Sequence, residues 1–378
     1  MIQYGRQEIT DEDIKAVVKV LHSDFLTQGP AVPIFEKKLC DYTGSRYAVA
    51  VNNCTSALHI ACLALGLGQG DILWTSPITF VASASCAIYC GASIDFVDIE
   101  IDTALMSVEK LKEKLKLAEK EGKLPKIVIP VHFAGQPCDM EEIYTLSQQY
   151  NFRIIEDAAH AIGANYQGKP IGGCLYSDIT VFSFHPVKII TTGEGGAVMT
   201  NNQQLAEKVK LLRSHGITRD PSKMLKKPDG DWYYEQIDLG FNYRMTDIQA
   251  ALGSSQLSRL DQYVLSRSKI AEWYDRQFMN FNATPLLNKA DRTSSYHLYV
   301  VGVSTGVLAR NSFYKALHEC GIGVNVHYIP VYRQPFFDKG VLLENTEIYY
   351  DRAISLPIYP ALNYEQLVKI KTCLKAIF

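Results

Sequence analysis

Apolar and polar positions follow a repeated order along the first half of the chain, in which a short apolar run, a turn and an amphipathic segment recur. Buried strands are predicted from apolar runs at 47–51, 71–75, 93–97, 126–131 and 152–156. Helical patterns lie between them at 57–65, 79–90 and 107–121, and in a segment that runs through 144. This alternation predicts an α/β fold with a mostly parallel sheet and helices on both faces.

The rest of the chain is more mixed. Helices are predicted at 10–21, 35–42, 205–213 and 310–320 and from 364 onwards, and strands at 179–184, 197–199, 296–303 and 324–328. Residues 245–278 form one long helical pattern with few breakers. We therefore predict a large domain at 1–245, followed at 246–378 by a bridging helix and a small α+β domain.

Composition excludes several classes of protein. The formal net charge of −2 and the lack of a basic run argue against a nucleic-acid surface. No apolar stretch is long enough to span a bilayer, and the N-terminus lacks the layout of a signal peptide. The 9 cysteines show no CxxC pair and no zinc-ligand spacing, which indicates free thiols and no metal site. These features predict a soluble, cytoplasmic protein.

One lysine stands out by its surroundings. Lys188 follows the predicted strand 179–184 and Pro186, and it lies between Val187 and Ile189. Burial lowers the pKa of an amine, and a neutral lysine amine can act as a nucleophile that forms a Schiff base. The alternative is a lysine at a strand end whose side chain extends to water.

The segment 52–56, with Thr55 and Ser56, joins the first predicted strand to a helix N-terminus. Free N–H groups, the helix dipole and two hydroxyls predict a phosphate site there. The alternative is simple N-capping by Thr55 or Ser56. No Walker lysine and no G-x-G-x-x-G follows a strand, so nucleotide hydrolysis and dinucleotide binding lack their motifs.

Asp157 follows the predicted strand 152–156, and ligands of such sheets bind at the carboxyl ends of the strands. A carboxylate among alanines is costly unless it has a cationic partner. We interpret Asp157 as the partner of a protonated heterocyclic nitrogen, with His160 beside it; the alternative is a helix N-cap. Phe80 at a predicted helix start could stack on a flat cofactor, although aromatic residues there are often part of the core.

A desolvated lysine, a carboxylate at a strand end, a helix N-terminus for phosphate and an aromatic ring are what pyridoxal 5′-phosphate requires. The chain also resembles the DegT/DnrJ/EryC1/StrS family of sugar-nucleotide aminotransferases, which have the fold type I of pyridoxal phosphate enzymes, over essentially its whole length. The resemblance is carried by the motifs NCTSAL at 53–58, EDAAHA at 156–161, SFHPVK at 183–188, GEGGA at 193–197 and GFNYRM at 240–245. Within the family, members that act in pseudaminic acid biosynthesis are most similar, through LTQG at 26–29, SHGI at 214–217 and VHYIP at 326–330.

The resemblance implies a role for each matching residue. Lys188 would be the Schiff-base lysine and the acid/base, Asp157 the partner of the pyridinium nitrogen, and Phe80 the ring that stacks on the cofactor. His160 would lie beside the ring substituents. The phosphate would be held by Thr55, Ser56 and Ser183, joined by Asn242 from the second subunit of a homodimer. The sugar-nucleotide cleft would be lined by Tyr4, Thr27, Gln28, His327 and Tyr328. Cys54 stands where many relatives carry a glycine.

The implied reaction moves an amino group, with L-glutamate as donor, onto C4 of a UDP-linked 4-keto-6-deoxy-N-acetylhexosamine. One alternative is another nucleotide-linked keto sugar, of the 4-amino-arabinose, bacillosamine or perosamine type. A second is a deoxygenating dehydratase of the same family, but those enzymes carry histidine in place of the lysine. A third is a sensor protein that has lost the chemistry, against which intact Lys188 and Asp157 argue. The segment 218–234 is a hypothetical lid over the cleft.

Overall fold

The computed structural model describes residues 1–303, 306–338 and 340–377. The four remaining positions, 304, 305, 339 and 378, all fall within the predicted second domain 246–378. The helices are α1 (Asp11–Leu21), α2 (Ala31–Thr43), α3 (Cys54–Ala64), α4 (Ala82–Tyr89), α5 (Val108–Glu121), α6 (Met140–Tyr150), α7 (Gln203–Arg213), α8 (Asp247–Leu257), α9 (Leu260–Phe278), α10 (Gly306–Glu319), α11 (Glu344–Tyr350) and α12 (Tyr364–Ile377).

The strands are β1 (Tyr47–Val51), β2 (Ile72–Thr75), β3 (Ser93–Phe96), β4 (Ile127–Ile129), β5 (Arg153–Asp157), β6 (Asn165–Tyr166), β7 (Lys169–Pro170), β8 (Ile179–Ser183), β9 (Gly196–Thr200), β10 (Ile217–Thr218), β11 (Glu235–Gln236), β12 (Ala283–Pro285), β13 (Arg292–Thr293), β14 (Tyr299–Val303) and β15 (Ala353–Leu356). Short 3₁₀ turns lie at Phe133–Gly135, Pro221–Lys223 and Val331–Arg333.

The large sheet has 7 strands in the order β1-β9-β8-β5-β4-β2-β3. Only β9 runs antiparallel to its neighbours β1 and β8; the remaining pairs are parallel. Every residue of β8 and β9 is buried, as expected for strands covered on both faces. The predicted α/β fold with a mostly parallel sheet is confirmed.

Helices cover both faces of this sheet. One hydrophobic cluster joins α2, α5 and α6 to the sheet, through residues such as Phe35, Leu111 and Ile143. A second cluster joins α3, α4 and α7 to the opposite face, through residues such as Ile60 and Val209. Burial of these two apolar layers is the main stabilising contribution to the fold and holds the strand ends in fixed positions.

The small sheet, in the order β12-β14-β15, packs with α10 and α12 around a third hydrophobic cluster. The first residues of the chain join this cluster, because Ile2 is buried in it and pairs with Ile322. The N-terminus therefore packs against the C-terminal part of the chain. Whether the two parts divide at 245, as predicted, stays a prediction.

The single helix predicted at 245–278 is wrong, since the chain forms α8 and α9 with a break at Ser258 and Arg259. The Ser258 hydroxyl donates to the carbonyl of Ser255 at the end of α8 (2.6 Å). The Arg259 guanidinium binds the buried carboxylate of Asp13 in α1 (2.6 Å). The local bond of Ser258 and the distant bond from Arg259 to Asp13 thus hold the break, which no local breaker residue indicates.

The strand predicted at 324–328 is also wrong. This segment makes one isolated bridge, between Asn325 and Ser355. The Val326 N–H donates to the side chain of Asn325 (2.8 Å), and the Nδ1 of His327 lies 2.8 Å from the Ser355 hydroxyl. Backbone pairing is confined to the two hydrogen bonds between Asn325 and Ser355, side-chain contacts hold the neighbouring residues, and the segment is a loop. No helix in the described part of the chain is long and apolar enough to cross a membrane.

Candidate active site

A cavity of about 900 Å³ lies where β1, β5 and β8 reach their carboxyl ends. The strand pairing explains why, because β5 lies beside β8, and β9 returns between β8 and β1. The predicted site residues that line the cavity are Tyr4, Thr55, Ser56, Phe80, Asp157, His160, Ser183, Lys188, His327 and Tyr328. Thr27, Gln28 and Asn242 do not line it.

Lys188 occupies the loop between β8 and β9 and lines the cavity. The following residues, Ile189 and Ile190, are buried and anchor the loop in the core. Burial lowers the pKa of the Lys188 amine to about 8, although the neighbouring Cys54 and Asp157 act in the opposite direction. The amine is thus desolvated at the cavity wall, which disfavours the alternative of a side chain that extends to water.

Asp157 ends β5 and is 4% exposed. Its Oδ2 accepts a hydrogen bond from the Ser83 hydroxyl (2.6 Å), and its Oδ1 accepts one from the Ala159 N–H (3.1 Å). No lysine, arginine or histidine of the described chain forms an ion pair with this carboxylate. No helix starts at Asp157, so the alternative of a helix N-cap is wrong. A buried carboxylate that faces a cavity without a cationic partner is suited to bind a protonated ligand nitrogen.

The N-terminus of α3 forms another wall of the cavity. The N-cap of this helix is Asn53, whose side chain accepts a hydrogen bond from the Ser56 N–H (2.8 Å). The alternative, in which Thr55 or Ser56 is the N-cap, is therefore wrong. This leaves both hydroxyls beside the cavity. Gly196 in β9 lies so close that a Cβ atom there would be 2.8 Å from the Cys54 nitrogen. The close approach brings β9 against a helix end that can bind an anion.

Phe80 lies just before α4 and lines the cavity with 59% of its surface exposed. The alternative, that Phe80 is a core residue, is therefore wrong. An exposed ring at a cavity wall can stack on a flat ligand, whereas a core ring would be covered by neighbouring side chains.

Histidines and tyrosines form the side of the cavity nearest the small sheet. The His160 and His297 rings lie 4.3 Å apart, and the Nε2 of His160 is 3.2 Å from the Tyr328 hydroxyl. Burial and the charge of Lys188 hold the pKa of His160 well below its usual value and lower the pKa of His327 to about 3. Tyr4 packs against His327, with ring centroids 5.4 Å apart. These imidazoles stay neutral at physiological pH and keep further positive charge away from Lys188.

The remaining predicted residues lie elsewhere on this chain. Thr27 and Gln28 are exposed, in a segment held to the start of α8 by the Asp247 carboxylate, which accepts from the Gly29 N–H (2.8 Å). Asn242 is exposed and forms a bridge with Ser214. The roles of Thr27, Gln28 and Asn242 stay predictions.

Sequence reasoning missed several residues that line or support the cavity. Ser83 binds Asp157, His297 contacts His160, and the Tyr243 hydroxyl lies 3.2 Å from the Nδ1 of His59. Ser83 carried a weak signal, since it follows Thr79 by one helical turn beside the predicted stacking ring. Tyr243 lies inside the motif at 240–245, next to the predicted Asn242, so its position carried a signal although its partner did not. His297 carried none, because its partner is distant in the sequence.

The arrangement fits pyridoxal phosphate. The unpaired Asp157 carboxylate suits the ring nitrogen, the desolvated Lys188 amine suits the aldehyde, and the N-terminus of α3 suits the phosphate. Cys54, the departure from the family motif, is accommodated beside this helix end, and burial raises the pKa of its thiol well above the usual value. The thiol therefore stays neutral beside the predicted phosphate site.

The sequence matches the DegT/DnrJ/EryC1/StrS aminotransferase family over residues 7–375. A UDP-4-amino-4,6-dideoxy-N-acetyl-beta-L-altrosamine transaminase of Campylobacter jejuni subsp. jejuni serotype O:23/36 is 38% identical over 100% of this chain and 97% of its own. An uncharacterized protein of Methanocaldococcus jannaschii is 39% identical over 98% of this chain and 95% of its own.

Solved structures of aminotransferases are also similar to this chain. PseC of Helicobacter pylori, an aminotransferase involved in the biosynthesis of pseudoaminic acid, is 34% identical and superimposes with a TM-score of 0.91 over 100% of this chain and 99% of its own. A Streptococcus pneumoniae protein named as a sugar aminotransferase, in its PLP form, is 29% identical with a TM-score of 0.88, over 100% of this chain and 99% of its own. These matches confirm the family resemblance, the fold class and the aminotransferase activity, and with them pyridoxal phosphate as the cofactor.

Proposed function

This chain belongs to the DegT/DnrJ/EryC1/StrS aminotransferase family, and from that premise we propose that it aminates C4 of a UDP-linked 4-keto-6-deoxy-N-acetylhexosamine. The observation that carries the proposal is the placement of Lys188 and Asp157 in one cavity, with the pKa of the lysine lowered to about 8. The choice of sugar is supported by the 38% identity to the altrosamine transaminase and by the likeness to PseC. L-Glutamate is the proposed amino donor.

Bound pyridoxal phosphate would supply an aldehyde that takes up the amino group and a ring that accepts electrons. Lys188 would hold the aldehyde carbon and, once released, carry the proton between that carbon and the substrate carbon. An amine with a pKa of about 8 suits both tasks, because it exchanges its proton readily near neutral pH. The intact lysine is also what separates this proposal from a dehydratase.

The other residues of the cavity would orient the ligands. Asp157 would bind the ring nitrogen, and Phe80 would cover one face of the ring. The hydroxyls of Thr55, Ser56 and Ser183 would bind the phosphate together with the α3 N-terminus. Ser183 is at the end of β8, pairs with Gly196 of β9 and is 7% exposed, so the sheet fixes its backbone beside the cavity.

The sugar nucleotide would enter from the side lined by Tyr4, His327 and Tyr328. This assignment is supported by their place in the lining of the cavity and by the volume of the cavity, about 900 Å³, which exceeds the needs of the cofactor alone. Thr27, Gln28 and Asn242 are exposed on this chain. They would therefore act across the interface of a homodimer, each contacting the cavity of the other subunit.

The test is a two-step reaction with purified, pyridoxal phosphate-loaded protein. Glutamate is added first, and a panel of UDP-linked 3-keto and 4-keto sugars follows, with products analysed by mass spectrometry and NMR. We expect a 4-amino sugar from the 4-keto-6-deoxy-N-acetylhexosamine and little product from the 3-keto sugars. Amination of a different sugar class would reassign the acceptor, a deoxygenated product would favour the dehydratase, and no turnover with any sugar would overturn the proposal.

A further inference from the structure

A short chain of buried hydroxyls ends on the Asp157 carboxylate. The Oγ1 of Thr79 lies 2.7 Å from the Oγ of Ser83, which donates to the Oδ2 of Asp157 at 2.6 Å. All these side chains are almost fully buried, with exposures of 3%, 1% and 4%. The single hydroxyl hydrogen of Ser83 is used on Asp157, so the hydrogen between Thr79 and Ser83 comes from Thr79.

We propose that Ser83 is a positioning residue for the amino-transfer reaction, which keeps the negative charge on Asp157 and thereby the proton on the nitrogen of the cofactor ring. The inference rests on the assignment of Asp157 to that nitrogen under the proposed function. A proton between a carboxylate and a pyridine nitrogen resides on the side that its surroundings stabilise. A hydroxyl that donates to the carboxylate stabilises the ionised form, so the proton stays on nitrogen.

Among the described residues, Ser83 is the only one whose side chain donates a hydrogen bond to Asp157. Asp157 has one further donor, the Ala159 N–H, which bonds the other oxygen. Ser83 lies on α4, away from β5, so its bond also fixes the rotation of the carboxyl group toward the cavity. The nearby charged or titratable groups, Lys188, Cys54 and Tyr328, interact with Asp157 only through space.

The experiment uses the full-length protein loaded with nitrogen-15-labelled pyridoxal phosphate, whose ring-nitrogen resonance reports protonation directly. In Ser83→Ala we expect the resonance to move from the pyridinium position toward that of neutral pyridine, and cofactor affinity to fall about 10- to 100-fold. Ser83→Thr keeps the hydroxyl and should restore both readouts. Ser85→Ala, a matched change on the same helix, should alter neither.

The outcomes separate the role of Ser83 from the proposed function, because neither measurement needs a sugar nucleotide. A protonated ring in the wild type that stays protonated in Ser83→Ala overturns the role of Ser83 alone. A neutral ring in the wild type overturns the pairing with Asp157 and this inference together. Should Ser83→Ala fail to fold, Thr79→Val replaces it. This change removes the hydroxyl that donates to Ser83, so we expect a smaller shift of the ring-nitrogen resonance in the same direction. No shift in Thr79→Val would overturn the inference.

Discussion

The Nε2 atom of His132 lies 2.7 Å from the Oε2 atom of Glu156. Both side chains are buried, and Glu156 immediately precedes Asp157 in the chain. The Nδ1 of His132 accepts a hydrogen bond from the Cys138 N–H (3.1 Å), so its Nε2 carries the hydrogen that binds Glu156. Ser177 and Thr180 donate to the other carboxylate oxygen. A fully bonded carboxylate thus ties β5 to β4 and β8 directly behind the predicted cofactor site.

Removal of this charge should destabilise the protein. Burial alone would raise the pKa of Glu156, but bonds from His132 and the two hydroxyls outweigh it and hold the pKa below its usual value. We expect Glu156→Gln to lower the free energy of unfolding by about 3 kcal/mol, because an amide cannot accept all these bonds. Denaturant unfolding of the cofactor-free protein would measure the loss.

The His132–Glu156 pair also predicts how the free energy of unfolding depends on pH. A carboxylate with a lowered folded-state pKa stabilises the protein fully above its unfolded value, about 4.3, and loses this contribution as the pH falls through the folded value. The difference between wild type and Glu156→Gln should therefore be constant from pH 5 upwards and shrink in more acid solution. The exposed Glu142→Gln is the matched control. A difference that grows on acidification would contradict the assignment.

Loss of the lysine should abolish covalent attachment of the cofactor. With pyridoxal phosphate, the wild type should show a near-visible band that glutamate bleaches. Lys188→Ala should lack this band and lose activity by at least about 10³-fold, because Lys188 is the only lysine among the described residues that line the cavity. Absorbance spectra recorded before and after the addition of glutamate would test this prediction. Lys208→Ala, at an exposed position of α7, is the control. A bleachable band in Lys188→Ala would refute the assignment.

The rate of attachment should follow the neutral fraction of Lys188. Because burial lowers the pKa of this amine to about 8, the rate should rise about tenfold per pH unit below pH 8 and level off above it. Asp157 raises the pKa of Lys188 through its negative charge, so Asp157→Asn should move the midpoint to lower pH. Stopped-flow absorbance of the cofactor-free protein between pH 6 and 10 measures both midpoints. A shift to higher pH in Asp157→Asn would contradict this electrostatic coupling.

Tyr328 should affect the sugar nucleotide and not the amino donor. Its hydroxyl lies 3.2 Å from the Nε2 of His160, and burial raises the pKa of this phenol, so it remains a neutral hydrogen-bonding group. We expect Tyr328→Phe to raise the KM for the sugar nucleotide about tenfold, the usual effect of one lost hydrogen bond, with an unchanged glutamate half-reaction. Tyr364→Phe, at an exposed position, is the control. Equal effects on both half-reactions would place Tyr328 at the cofactor instead.

Much of the fold and the centre of the site could be predicted. Strands such as β1 and β8 are continuous apolar runs. Asp157 ends β5 and Lys188 lies in the loop after β8, and these two strands are neighbours in the sheet. Local patterning determines such elements, and the rule that ligands bind at the carboxyl ends of parallel strands brings their flanking residues together. The break between α8 and α9 escaped prediction because it depends on the bond from Arg259 to Asp13, far away in the sequence.

By itself, the sequence determined the order of most elements, the family and the candidate residues for the chemistry, since these depend on local periodicity and short motifs. Only the tertiary structure decided which side chains support them. Ser83 reaches Asp157 across 74 positions of the chain, and Tyr4 reaches the His327 ring from the opposite terminus. Such contacts arise from the packing of buried layers, and packing depends on the shape of the whole core, which no local pattern encodes.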